Sequence, residues 1–261
     1  AVSSGRITVN AFATRPTYRD SAAVNHCAAG MPASDEELHR LIGHLFAGDP
    51  GDQVAGAHLL FQALTGLRPG EPGALLWKAG PDQPGQRVTI TRDSVKLDLL
   101  RVQRCKGGIN PAVAIHPVLA GFLDVWRRFT ASTWPDSPWM FPDPEAPENP
   151  FVPFGQVADS HIGRTLARAA AHLGLPARKP HGMRAYYVRV RRSQGIDDAT
   201  IAVELGQGSG PGLVVRTYGE RLALLGGDGL FDWLPDPPEA PCWKLLEERI
   251  PTNVVALSKA A

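Results

Sequence analysis

Thr65-Gly66-Leu67-Arg68-Pro69-Gly70-Glu71, at residues 65–71, is an arginine set in a tight turn between helical stretches. Gly66 follows the last apolar-periodic residues and marks a helix stop, while Pro69 and Gly70 bar its continuation. Upstream, a helix is predicted from about Asp52 to Leu64. Before it, Ser34-Asp35-Glu36-Glu37 is a capping box. Leu38, Leu41, Ile42, Leu45 and Phe46 follow at helical spacing. Residues 1–33 lack such periodicity and read as an N-terminal arm or linker. Downstream of Pro69 a third helix is predicted through Ala74, Leu75 and Trp77.

The pattern then changes period. Arg87-Val-Thr-Ile-Thr91, Val95 to Val102 and Ala112-Val-Ala-Ile115 alternate like strands, with Gly107-Gly108 as a hairpin turn between the last two. A helix is predicted from Leu119 to Phe129. Seven prolines between residues 135 and 153 then make a long irregular loop. Further helices are predicted at about 156–173, 182–194 and 198–205. Four prolines between 235 and 241 form a linker to a last amphipathic helix, Trp243 to Ile250. The expected fold class is α+β, mainly α-helical with one small antiparallel three-stranded sheet.

The 261 residues suffice for a buried core. Hydrophobic residues at 43% and charged residues at 20% exclude a wholly disordered chain. Gly (27) and Pro (24) together make about a fifth of the chain, against an ordinary share of roughly an eighth. Turns and rigid loops are therefore abundant. The three cysteines, Cys27, Cys105 and Cys242, are far apart and odd in number. They support neither a disulfide framework nor a zinc knuckle, and a reducing compartment suits them. No apolar run reaches the roughly 18 residues of a membrane helix, and no signal peptide is visible.

The formal net charge is only +1, but its distribution is one-sided. From His161 to Ile196 there is no acidic residue, while Arg164, Arg168, Arg178, Lys179, Arg184, Arg189, Arg191 and Arg192 all fall there. These 36 residues carry +8 and the other 225 carry −7. Such a segment suits either a phosphate-binding face or a solvated helix face. His181-Gly182-Met183-Arg184 opens a helix inside it. Beyond it come Glu204-Leu205-Gly206-Gln207 and, with its tyrosine eleven residues after Gln207, Arg216-Thr217-Tyr218-Gly219-Glu220.

These motifs, in this order, resemble the catalytic domain of the tyrosine recombinases, the phage-integrase family. That family carries T-G-x-R-x-x-E, then H-x-x-R, then L-G-H or a near variant, then a nucleophilic tyrosine. The resemblance covers about residues 34–223, leaving 224–261 as a C-terminal linker and tail helix. Trp139-Met140-Phe141-Pro142 is similar to the family's connecting segment. The resemblance implies the family's DNA breaking-rejoining fold. It also implies site-specific recombination through a 3′-phosphotyrosyl link, with no nucleotide, metal or other cofactor.

The implied catalytic residues are Arg68, Lys106, His181, Arg184, Gln207 and Tyr218. Arg68 and Arg184 would grip the phosphate in planar forks that stay charged. A tyrosine is only about a thousandth ionised at pH 7, so Tyr218 needs a cationic pocket or a base. His181 is placed to accept its proton or to bond the phosphate. Lys106, in Arg104-Cys105-Lys106-Gly107-Gly108, would protonate the leaving 5′ oxygen, and Lys96 is its competitor. Glu71 is a structural support for the Arg68 turn. Alone, that turn also suits a helix corner with Arg68 paired to Glu71. Tyr186 and Tyr187 read as packing residues. Arg178, Lys179, Arg189, Arg191 and Arg192 are the DNA-contact candidates.

Two features depart from the family pattern. Gln207 stands where a histidine is usual; it still donates a hydrogen bond but carries no proton charge. Residues 1–33 are too short for the family's DNA-clamping domain, and the chain begins at Ala1, so two readings stay open: a fragment lacking an upstream core-binding domain, or a protein without the clamp. The implied partner is double-stranded DNA, with a homo-tetramer assembled on it and no membrane. The implied location is cytoplasmic, at the nucleoid of a prokaryote. Two alternatives stay open: a catalytically weakened DNA-binding relative, and a type IB topoisomerase-like enzyme. The tail face of Trp243, Leu246 and Ile250 suits either a neighbouring protomer or its own domain.

Overall fold

The computed structural model describes Gly30, Pro32, residues 34–77, 87–92, 95–101, 112–114, 117–151 and 161–193, then Ile201, Glu204, Leu205 and 241–251. Helix α1 spans Asp35–Ala47. Its cap is the one predicted: Ser34 Oγ accepts from the Glu37 N–H at 3.1 Å. Helix α2, Pro50–Thr65, starts two residues earlier than expected. Asp49 caps it by accepting from the Asp52 N–H at 2.8 Å, and proline suits the first turn because no bond needs its missing N–H.

Twelve of the sixteen α2 residues are buried, on all sides of the helix. A helix apolar all round belongs inside a protein. It lies against α1, against α3 (Pro117–Thr133), α4 (Ile162–His172) and α5 (Pro180–Ser193). The fully buried Phe46, Phe61, Phe122 and Trp126, with Phe141, form the aromatic centre of this core.

The helix predicted beyond Pro69 does not form. Only a 3-10 turn at Pro72–Ala74 is present, and the chain then runs extended. Leu75 O accepts from the Met140 N–H at 2.9 Å, and the Trp77 N–H donates to Pro138 O at 3.0 Å. Pro72 and Gly73 disfavour helix, and pairing with the 138–140 stretch satisfies the backbone instead. Trp126 Nε1 donates to Met140 O at 2.7 Å, tying this layer to α3.

Strands β1 (Arg87–Arg92), β2 (Val95–Arg101) and β3 (Ala112–Ala114) form an antiparallel sheet in the order β1-β2-β3. Ile90 is opposite Leu97, and Leu100 is opposite Val113. The turn at Gly107-Gly108 lies outside the described residues. Helix α3 is longer than predicted. Pro117 opens it, and at its end the hydroxyls of Thr130, Ser132 and Thr133 donate to carbonyls one turn back. The predicted start at 182 moves to Pro180 in α5 for the same proline reason. Of the helix expected at 156–173, Ile162–His172 is helical and 152–160 lie outside the described residues.

The tail helix is shorter than its predicted span: α6 is Lys244–Glu247 with turns on both sides. Trp243, Leu246 and Ile250 are buried in the chain's own core, with the Trp243 ring 6.0 Å from that of Phe122. Arg128 Nη2 donates to Glu247 Oε1 at 2.9 Å. Arg249 donates to Ala47 O at 2.9 Å and Gly48 O at 3.3 Å, placing a cation on the negative end of α1. Of the two readings of this apolar face, packing within the chain is the one observed. Among the described residues no helix is long and apolar enough to cross a membrane.

Candidate active site

The site is built where α2 ends and α5 begins. Gly66 takes the left-handed conformation (φ 68°, ψ 11°) that turns the chain out of α2, and its N–H donates to Gln62 O at 2.8 Å. Thr65 Oγ1 donates back to Phe61 O at 2.7 Å. Past the glycine, the Arg68 N–H donates to Glu71 Oε2 at 2.8 Å and the Glu71 N–H donates to Arg68 O at 2.9 Å. These reciprocal bonds close the turn. The buried Glu71 carboxylate thus holds the Arg68 backbone. Among the described residues nothing bonds the Arg68 guanidinium, which is half-exposed.

His181 is exposed on the first turn of α5, at the positive end of the helix dipole. One turn on, Arg184 is buried at 5% exposure. Its Nη1 donates to Gly66 O at 2.6 Å and its Nη2 to Leu205 O at 3.3 Å. One guanidinium therefore joins the first motif, the second, and the segment that leads into the third. A side chain at Gly66 would break this junction: a Cβ there would lie 2.5 Å from both Leu205 Cδ2 and Tyr187 Cδ1.

The basic segment is not a uniform face. Arg178 and Arg191, both predicted as DNA contacts, are buried at 8% and 3% exposure. Arg178 Nε meets Glu37 Oε1 at 2.5 Å. Arg191 holds Glu204 through Nε, at 3.0 Å, and through Nη2. The desolvated charges take intramolecular carboxylates, since an unpaired buried guanidinium would be costly. Lys179 is exposed. Arg189 is half-buried, 5.0 Å above the Tyr186 ring. Arg192 lies in α5, its side chain outside the described residues.

Both tyrosines of α5 pack, as read. Tyr186 Oη donates to Asp35 Oδ1 at 2.6 Å and Tyr187 Oη to Glu204 Oε2 at 3.0 Å. Burial, then the hydrogen bond and charge of Asp35, push the Tyr186 phenol well above the ordinary tyrosine range. It is a poor nucleophile where it stands. Lys106, Gln207 and Tyr218 lie outside the described residues. Lys96, the competitor of Lys106, is on β2 opposite Thr91.

The sequence reading missed the grip on Glu204. Its signal was present: Arg184, Tyr187 and Arg191 recur at spacings of three and four, one face of a helix. In chemical terms, this pole offers an arginine fixed by its backbone and a histidine at a helix N-terminus, both reachable from solvent. That is a setting for an anion.

No family model matches this chain, and no curated protein gives a significant match. Solved structures are similar. A lambda integrase dimer bound to a COC′ core site aligns with TM-score 0.47 at 15% identity, over 73% of this chain and 48% of that one. The lambda integrase catalytic core aligns with TM-score 0.47 at 16% identity, over 68% of this chain and 91% of that one. A second such dimer on a COC′ core site aligns with TM-score 0.47 at 18% identity, over 77% of this chain and 64% of that one. This chain thus spans about half the length of the first of them. All three are lambda integrase structures.

Proposed function

We propose that this chain carries a tyrosine recombinase catalytic domain, at about residues 34–223, which cleaves and rejoins DNA strands. The observation that carries the reading is the Arg184 bridge. It ties the arginine turn to the H-x-x-R helix across 118 residues, and the same side chain reaches Leu205 of the third motif. Arg184 of the second motif thus bonds Gly66 of the first and Leu205 of the third, which supports the reading.

In this mechanism Arg68 binds the non-bridging oxygens of the scissile phosphate. The Tyr218 oxygen attacks phosphorus, its proton passing to His181. The bond from phosphorus to the 5′ oxygen breaks, and Lys106 gives that oxygen a proton. A 3′-phosphotyrosyl link and a free 5′ hydroxyl result. A 5′ hydroxyl from a partner strand reverses the step, so the bond energy is conserved. Gln207 donates a hydrogen bond to the phosphate. Removing one such well-aimed donor typically costs about 2.7–4 kcal/mol of barrier. Lys179, Arg189 and Arg192 contact flanking phosphates.

Double-stranded DNA is the proposed partner, and two of the similar structures hold a COC′ core site. Assembly as a homo-tetramer on DNA, an upstream core-binding domain and a place at the nucleoid complete the proposal. A second reading has its own support. Arg184 spends two donors on backbone carbonyls and Gln207 replaces a histidine, which favours a DNA-binding relative with a weakened centre.

The test offers the protein a library of nicked suicide duplexes and isolates DNA that survives hot detergent. Tyr218→Phe runs alongside. Adducts that vanish in Tyr218→Phe, with DNA binding retained, support the recombinase reading. Adducts that persist move the nucleophile elsewhere. Binding without adduct, even with an upstream clamp domain added, leaves the DNA-binding relative.

A further inference from the structure

We infer that Arg178 and Tyr186 are positioning residues: through them α1 braces the start of α5 on both sides of the H-x-x-R motif and sets where His181 and Arg184 stand against the Arg68 turn. The inference rests on the recombinase reading and deepens it.

The start of α5 has little local support. Lys179, just ahead of it, carries only donors and cannot cap the helix with its side chain, and Pro180 has no N–H. The support comes from α1 instead, 141 and 151 residues distant in sequence. Arg178 Nε donates to Glu37 Oε1 at 2.5 Å, and Tyr186 Oη donates to Asp35 Oδ1 at 2.6 Å. Arg178 stands three residues before His181 and Tyr186 two after Arg184, so the two bonds bracket the motif. Between them the Lys179 N–H donates to Gly30 O at 3.2 Å, four residues ahead of the α1 cap.

The receiving end is itself fixed. Ser34 Oγ accepts from the Glu37 N–H at 3.1 Å, so Asp35 and Glu37 both stand in a capped first turn. Arg184 Nη1 in turn reaches Gly66 O. Helix α5 is therefore braced at its start by α1 and joined through Arg184 to the end of α2.

Burying the Arg178–Glu37 pair, at 8% and 10% side-chain exposure, costs desolvation, and an apolar pair of similar size is often as stable. What an apolar pair lacks is direction. Apolar attraction is non-directional, whereas a hydrogen bond weakens steeply as it bends. The ion pair thus fixes the position of Arg178, and three residues are too few for the chain to lose that position before His181.

The test compares wild type, Arg178→Met/Glu37→Leu and Tyr186→Phe on the full chain in single-turnover adduct formation, with DNA affinity and thermal midpoint measured in parallel. The paired variant strands no charge and should keep most of the stability. Its first-order rate should nevertheless fall about tenfold to hundredfold, the scale of a displacement of up to about 1 Å. DNA affinity should stay within about twofold, as for uncoupled sites. Tyr186→Phe keeps the ring and removes one bond, so its rate should fall about twofold to tenfold, the worth of one hydrogen bond. A merely structural role predicts instead that rate returns with stability. A folded variant of either kind that reacts at the wild-type rate overturns the inference. A rate loss matched by an equal loss of DNA affinity overturns it too. If the paired variant does not fold, Tyr186→Phe decides. A wild-type chain that binds DNA and forms no adduct overturns the recombinase reading and this inference together. Adducts formed at equal rates by all three chains overturn the inference alone.

Discussion

Gly66→Ala tests the junction most directly, because the molecule contains its own control. Gly66 and Gly174 both have left-handed backbones, with φ of 68° and 65°. Forcing alanine into that region costs about 1–2 kcal/mol at either site. Their surroundings differ. A Cβ at Gly174 meets nothing within 4 Å, whereas one at Gly66 meets Leu205 Cδ2 and Tyr187 Cδ1 at 2.5 Å and Tyr187 Cγ at 2.9 Å. Carbon atoms settle at about 3.5–4.0 Å, so the neighbours must move by about an ångström. Tyr187 resists because its hydroxyl is bonded to Glu204, and Leu205 resists because it is buried. Such overpacking typically costs about 1–3 kcal/mol. The gain from a stiffer unfolded chain, about 0.4–1 kcal/mol, is common to both variants and cancels. Gly66→Ala should therefore be less stable than Gly174→Ala by about 1–3 kcal/mol, a midpoint difference of roughly 2–12 °C for a domain of this size. Thermal or urea unfolding of the two variants reads this difference. Equal losses would refute the close packing of the turn against Tyr187 and Leu205.

Other consequences are as open to test. His58 is fully buried, and desolvation lowers its pKa to about 3, only partly opposed by Gln62. Between about pH 6.5 and pH 3 the unfolded chain takes up a proton that the folded chain refuses, so stability falls with pH by about 1.4 kcal/mol per unit. His58→Leu should remove this term, and parallel pH–stability curves for variant and wild type would exclude it. Arg178→Met strands the Glu37 carboxylate in the interior and should cost about 3–5 kcal/mol in denaturant unfolding. Adding Glu37→Leu should recover most of that loss. The salt dependence of DNA binding separates the cations: Lys179→Ala should flatten the log–log slope by about 0.9, the value of one phosphate contact. Arg178→Met should leave the slope unchanged, and a flattened one would put Arg178 on the DNA.

Much of the scaffold was legible in local signals. Ser34 and Gly66 announced a helix start and a helix stop by capping chemistry, which acts over three or four residues. The helices α1 to α5 followed from apolar spacing, while the prolines that open α2, α3 and α5 put their starts earlier than that spacing did. The failure beyond Pro69 is instructive. Leu75 and Trp77 fit a helical face, but their backbone pairs with 138–140, more than sixty residues away, and no local pattern reports such a partner. The site divides the same way. Glu71 was legible as a support because its carboxylate acts within its own turn.

The sequence by itself determined the kinds of chemistry available: two arginines, a histidine and a tyrosine in a recognisable order, the first arginine ahead of a segment with no negative charge, the histidine and second arginine inside it, and the tyrosine beyond it. Which of the cations face solvent was decided only by tertiary structure. Arg178 and Lys179 are adjacent, yet one is buried on Glu37, 141 residues distant, and the other is exposed. The physical reason is desolvation. A guanidinium leaves water only where acceptors wait to receive it, the carboxylates of Glu37 and Glu204 for Arg178 and Arg191 and backbone carbonyls for Arg184, and those meetings depend on tertiary packing that neither charge counting nor periodicity contains.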